Sequence, residues 1–402
     1  MIHTRIRHLF GALALSTLLL ALASCGGGGS AGGGGGGIGG TGSPSTLGTV
    51  RFSLTDAPAC GYDAVNVTIE RVRVHASDSA VEGDAGWSEV VLDPSRRFNL
   101  LDLTNGVLAD LGATTLPPGK YTQLRLVLAS NGGANSLANS VVPSGGSETA
   151  LTTPRAQQSG VKVKVDIDVA AGQTADVVLD FDACKSVVRR GNSGQYNLKP
   201  VITATSVVSS VGLRVVGYVP SSAAGSTTVS VQTGGVPIKS TKPDGSGAFV
   251  LYPVPAGTYD LVVASPGRVT AVVTGVPVTT AGTTTLNGPA SPINPTAVPM
   301  LSVPGNVTPA SGTVRALQTY AGGPTVEAAF APVDAISGTY AFTLPIGTPL
   351  KAVYDATAPT PAFVPDPAAA SKFTIQAASG SATQQQAIDL GVALPALNFT
   401  FP

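Results

Sequence analysis

The sequence predicts an all-β protein built as tandem antiparallel β-sandwich modules. Three observations predict it. Apolar and polar residues alternate at period two, as in Val161-Lys162-Val163-Lys164-Val165-Asp166-Ile167-Asp168-Val169, which puts an apolar face and a charged face on one strand. Forty-nine glycines and 31 prolines punctuate the chain, so turns recur. Hydrophobic residues make up 43% and charged ones 11%, enough to bury cores, and no stretch of comparable length carries a 3.6-residue period. At roughly 100–200 residues per domain, about three domains are expected.

The first element is an export signal. Arg5 and Arg7 give a positive start, and Leu9 to Leu22 carries no charge. That run is too short for a bilayer core of ~30 Å and fits the apolar region of a signal peptide, residues 1–24. Leu22-Ala23-Ser24-Cys25 resembles the lipobox of bacterial lipoproteins. The resemblance implies cleavage before Cys25, a diacylglyceryl group on its sulfur and a third acyl chain on its amine. Two or more chains anchor stably, at ~0.8 kcal/mol per buried CH₂. The alternative is an ordinary signal peptide with an incidental cysteine. Gly26 stands where an Asp would argue for inner-membrane retention, which favours the outer membrane, periplasmic or surface-exposed.

Removing residues 1–24 takes two of the 23 basic residues and none of the 23 acidic ones. That balance gives no electrostatic footprint for nucleic acid. From Gly26 to Thr46 the chain is nearly all Gly, Ser and Thr and reads as a flexible tether reaching about 25 Å. Gly28-Gly29-Ser30-Ala31-Gly32 formally matches G-x-S-x-G, but no strand precedes it and no helix follows, so the motif has no meaning here.

The first module spans residues 47–207. Val50, Phe52 and Leu54 share a face, as do Leu124, Leu126 and Leu128, and Val177, Leu179 and Phe181. The apolar phase is odd at Val65, Val67 and Ile69 and even at Val72 and Val74, which predicts a β-bulge. Ser130 to Gly160 reads as the longest polar loop, the place where recognition is expected. Leu54-Thr55-Asp56-Ala57-Pro58, Val65-Asn66-Val67-Thr68-Ile69-Glu70-Arg71-Val72 and Tyr196-Asn197-Leu198-Lys199-Pro200-Val201-Ile202 resemble domain of unknown function 4382. That family is typical of bacterial lipoproteins. The resemblance implies a β-sandwich and no chemistry.

Residues 211–286 carry Gly217-Tyr218-Val219, Gly247-Ala248-Phe249 and Pro255-Ala256-Gly257-Thr258-Tyr259. They resemble the carboxypeptidase regulatory-like, transthyretin-like sandwich. There Gly supplies a positive φ and the aromatic plugs the core. Residues 287–304 are Pro- and Ala-rich and read as a linker. Residues 305–402 read as a diverged second copy, with Gly312-Thr313-Val314 for Gly217-Tyr218-Val219, Gly338-Thr339-Tyr340 for Gly247-Ala248-Phe249, and Pro345-Ile346-Gly347-Thr348 for Pro255-Ala256-Gly257-Thr258. The expected Tyr is replaced by Pro349.

Chemistry is sparse. Beyond the signal the one histidine is His75, which has no second imidazole or paired Cys for a zinc site; serines and aspartates for a catalytic triad are plentiful, but no nucleophile elbow marks one. With Cys25 lipidated, Cys60 and Cys184 are an even pair that oxidising conditions would join, the alternative being two buried thiols. Asp166 and Asp168 point one way from their strand, and Asp180 and Asp182 do so from another. Four converging carboxylates could hold Ca²⁺; the plainer reading is a solvated face on which Lys162 and Lys164 offset them. Paired carboxylates also serve glycoside hydrolysis, which needs a cleft. No cofactor or resident metal is expected. Two classes stand: a non-enzymatic envelope lipoprotein that binds a protein or glycan or acts as a spacer, and an exported hydrolase or its accessory subunit.

Overall fold

The computed structural model describes residues 46–57, 61–153, 159–208, 211–392 and 394–402, and Ser45–Pro402 forms one compact unit. Its regular structure is almost all strand, in six sheets, with a separate hydrophobic cluster in each of three successive modules.

In the first module one sheet runs β12 (Ile202–Val207), β9 (Thr174–Phe181), β1 (Gly48–Asp56), β4 (Ala109–Leu116). The other runs β10 (Val187–Arg189), β11 (Tyr196–Leu198), β7 (Thr149–Thr152), β6 (Ser140–Pro143), β2 (Tyr62–His75), β5 (Gly119–Leu128), β8 (Val161–Val169). A further strand, β3 (Ser88–Asn99), pairs with β2. Phe52 lies beside Val177 in the parallel β1–β9 pair, and their alternating neighbours fill the core. The expected bulge is present: β2 shifts register against both β3 and β5 between Ile69 and Arg71, so Val67, Ile69 and Val72 all stay buried.

The polar loop expected at Ser130–Gly160 instead contains β6 and β7. Strands of four residues are too short to print a period. A buried side chain helps set them: Asn139 accepts the Thr68 N–H at 3.1 Å and donates to the Ala129 carbonyl at 2.7 Å. After β9 comes a single turn, α1 (Ala183–Ser186), capped by Asp182, which accepts the Lys185 N–H at 3.0 Å.

The second module has a sheet β16 (Ala248–Leu251), β13 (Arg214–Tyr218), β19 (Thr283–Thr285). Its other sheet begins β15 (Val236–Thr241), β14 (Thr228–Thr233), β17 (Gly257–Ala264), β18 (Ala271–Val278). A short helix, α2 (Ser221–Ala224), lies between β13 and β14. The third module repeats both orders. One sheet is β23 (Thr339–Pro345), β20 (Met300–Thr308), β28 (Asn398–Thr400), and the other is β22 (Thr325–Pro332), β21 (Thr313–Thr319), β26 (Lys372–Ser379), β27 (Ala382–Asp389).

The residue correspondence between the copies differs from the expected one. Gly217 lies opposite Phe249, where a Cβ would come within 2.5 Å of the ring; Gly305 lies opposite Tyr340, where a Cβ would be 2.2 Å from the hydroxyl. Gly305, not Gly312, therefore matches Gly217. Gly247 and Gly338 do correspond, both at positive φ (+90° and +71°), whereas Gly257 is not at positive φ. Leu261 pairs with Val231 as Ile375 pairs with Ala316, each just before a register shift. So β26 matches β17, and Phe373 takes the place of Tyr259.

The chain after Pro345 goes elsewhere, into β24 (Leu350–Val353) and β25 (Val364–Pro365). β24 pairs in parallel with β18, from Ala271↔Leu350 to Thr274↔Val353, and Ala352 joins the second module's core. Residues 305–402 thus lend a strand to residues 211–286. The stretch expected as linker, 287–304, ends in strand, because β20 starts at Met300.

Candidate functional site

Residues of all three modules line a cleft of about 660 Å³. Thr228, Ser230 and Val262 come from the second module, Tyr62 and Lys185 from the first, Glu327 and Phe330 from the third. The modules are joined by polar contacts, some of them in the cleft wall. Lys239 of β15, buried, reaches Asp180 of β9 at 2.9 Å. Lys185 lies 3.2 Å from Asp182 and 4.0 Å from Glu327, whose other oxygen lies 3.4 Å from Arg315. Gln232 of β14 bonds the backbone of Glu327 in β22. Asp334 accepts the Gly191 N–H with both oxygens, at 3.0 and 2.7 Å. Asn105 mimics a neighbouring strand for β16: it accepts the Val250 N–H at 2.6 Å and donates to the Ala248 carbonyl at 3.2 Å.

Burial dominates the electrostatics. It pushes the Asp180 and Glu327 carboxyls up, against the pull of Lys239 on one and of Lys185 and Arg315 on the other. For Lys185 burial pulls downward, but Asp182 and Glu327 outweigh it and its ammonium is held above the usual range. Asp56, buried at the end of β1, accepts the Ala183 N–H at 2.9 Å through one oxygen; the other has no partner among the described residues. Burial drives that carboxyl well above its ordinary range. Lys185, Asp182, Glu327 and Arg315 are thus engaged with one another, and the arrangement serves to hold strands of different modules together.

The acids singled out in the sequence do not meet. Asp166 and Asp168 are exposed on β8, with Lys120 at 2.7 and 3.9 Å, while Asp180 and Asp182 belong to β9 and its end in the other sheet. Among the described residues no group of three or more His, Cys, Asp or Glu could hold a metal ion. His75 is engaged locally: Nδ1 accepts the Ser77 N–H at 2.9 Å, which leaves Nε2 to donate to the Ala85 carbonyl at 3.0 Å, and the ring packs 5.1 Å from Trp87. Asp63 accepts from the Ser144 hydroxyl and the Gly145 N–H, capping that turn. Cys184 lies in α1 and lines the cleft; Cys25 and Cys60 lie outside the described residues. Lys239, Gln232, Asn105 and Asp334 escaped sequence reading.

Residues 47–200 match the family described as Domain of unknown function (DUF4382). The DUF4382 match covers the first module through β11 and stops short of β12. No curated protein matches the chain. Among solved structures, a mutant type II cohesin–X-dockerin complex from Acetivibrio cellulolyticus is 29% identical over 22% of this chain and 59% of its own, with a TM-score of 0.19. This chain therefore spans less than two thirds of that one. The Bacillus anthracis TIE protein is 11% identical over 89% of this chain and 51% of its own, TM-score 0.17. A streptococcal ancillary pilin is 10% identical over 87% of this chain and 99% of its own, TM-score 0.17. At these scores none bears on how this chain is arranged or what it does.

Proposed function

We propose that the protein is a non-enzymatic lipoprotein of the cell envelope, anchored in the outer membrane through Cys25 and standing off from it as a spacer that presents its first module to a protein or glycan. The observation that carries this reading is the polar junction itself. Asp180–Lys239, Gln232–Glu327 and Asp334–Gly191 join each module to the other two, which suits one rigid block held away from the membrane better than freely hinged beads. In this reading the second and third modules are two copies of one carboxypeptidase regulatory-like sandwich; their shared strand orders support the duplication. In the same reading Cys60 and Cys184 form a disulfide. Labelled palmitate tests the anchor: the wild-type protein takes up label and sediments with outer membranes, and Cys25→Ala does neither. Label on the variant at wild-type level overturns the anchor. Small-angle scattering of the soluble chain tests the spacer, which requires one fixed maximum dimension; a broad distribution of lengths overturns it. Non-reducing peptide mapping tests the disulfide, which two free thiols would exclude.

A further inference from the structure

We infer that β27 is an interface on which a second copy of this chain pairs edge to edge. A sheet edge presents unpaired N–H and C=O groups, and proteins blunt it with lysine, proline, bulges, short strands or a covering segment. Among the described residues, β27 is the one edge strand of eight or more residues with no Lys, Arg or Pro and no register shift against its neighbour. β8 carries two lysines, β22 ends in Pro332 and shifts register, β4 shifts register at Phe52/Ser53 of its partner, and β25 is two residues long.

The sister module shows how this position is closed. There β18 is the counterpart of β27, and its outer edge is covered by β24. Leu261↔Val273 and Val263↔Ala271 in the second module match Ile375↔Gln386 and Ala377↔Gln384 in the third. Where β24 docks on apolar Ala271, Val272 and Val273, β27 offers Gln384, Gln385 and Gln386. In the third module no described strand takes the place of β24. The edge therefore stays open within this unit.

The occupant follows from the side chains. Each Gln carboxamide both donates and accepts, so a run of glutamines is complementary to itself. A strand complementary to itself meets its copy antiparallel about a two-fold axis, the closed and isologous arrangement. Thr383, Gln384 and Gln385 are exposed, and Gln384 donates to the Thr400 carbonyl at 2.7 Å, which holds that end of the edge in place. An eight-residue edge is a small interface, so association is weak in solution and gains from concentration on a membrane.

Sedimentation of the soluble chain 45–402 at up to about 1 mM, the range suited to a small interface, tests this. Wild type dimerises. Gln385→Lys with Gln386→Lys puts like charge on both faces of the strand in either copy and weakens the dimer at least tenfold; Gln385→Glu with Gln386→Glu does the same. Mixing the Lys and Glu variants restores a heterodimer. Circular dichroism and melting unchanged from wild type show that each variant folds. A wild type monomeric throughout, a dimer indifferent to both variants, or open-ended polymers in place of a dimer would overturn the inference.

Discussion

Gln232 and Glu327 hold each other as two strands would: the Gln232 Nε2 donates to the Glu327 carbonyl at 2.9 Å, and the Glu327 N–H donates to Gln232 Oε1 at 2.8 Å. One buried carboxamide thus satisfies both backbone groups of a residue in another module. Gln232→Ala leaves that N–H and carbonyl without partners. The expected loss is about 2 kcal/mol or more, since an unmade buried hydrogen bond costs the desolvation of its group. Urea denaturation of residues 45–402 checks it, and an unchanged midpoint would show that water replaces the carboxamide at no cost.

Lys239 and Asp180 form the most enclosed ion pair between modules, with side chains 3% and 15% exposed. Removing one partner strands the other charge. Lys239→Met is expected to cost about 3–5 kcal/mol, and adding Asp180→Leu to recover most of it, because a buried pair gains little over apolar residues of similar size. A double-mutant cycle by calorimetry reads the coupling. Additive losses would mean that the two charges do not depend on each other.

Asp56 sets a pH dependence. Its carboxyl is raised by burial in the folded chain, so the folded state holds this proton more tightly than the unfolded state does. Its contribution is complete below the ordinary carboxylate value of about 4 and is lost as pH climbs from there through the raised one. Asp56→Asn keeps an oxygen for the Ala183 N–H without a charge. It is expected to be more stable than wild type at pH 7 and to lose the advantage near pH 4. Thermal melts across that range check it; an advantage that grew toward acid pH would reverse the sign.

Much of the first module was legible because its strands are long. Nine residues of β8 are enough for alternation to show which face is buried, and fourteen of β2 are enough for a phase slip to reveal the bulge at Ile69/Arg71. Four-residue β6 and β7 carry no such record. The repeat was legible at Gly338 and Tyr340, where a positive φ and a core aromatic follow each other closely. It misled at Gly312, because a glycine before a strand looks like one within it, and at Phe373, which β24 and β25 separate from the Pro345-Ile346-Gly347 turn. The junction was illegible for a different reason. Lys239 and Asp180 lie far apart in sequence, and nothing local to either announces the other.

The pairing of β24 with β18 bears on whether the second module stands alone. Residues 211–286 read in the sequence as one sandwich followed by a linker. Their core cluster, however, contains Ala352, and Leu350, Tyr354 and Phe363 pack against it, all supplied by the third segment. Val262 and Val272, on the outer face of the same sheet, are covered by Tyr320 and Val326. A fragment of residues 211–286 would expose these valines and leave the β18 edge unpaired, an open invitation to aggregate. The expectation is that this fragment is unfolded or associates, whereas residues 211–402 melt as one cooperative transition. Calorimetry on both decides it: a monomeric 211–286 with a cooperative melt matching the longer fragment would show that the borrowed strand adds no stability. Gly247→Val tests the same core from inside, since a side chain there would sit at φ +90° with its Cβ 2.0 Å from the Val219 carbonyl oxygen. It is expected to abolish the transition of residues 211–402 or lower it sharply, whereas Gly282→Ala, which meets nothing within 4 Å, should leave the melt nearly unchanged.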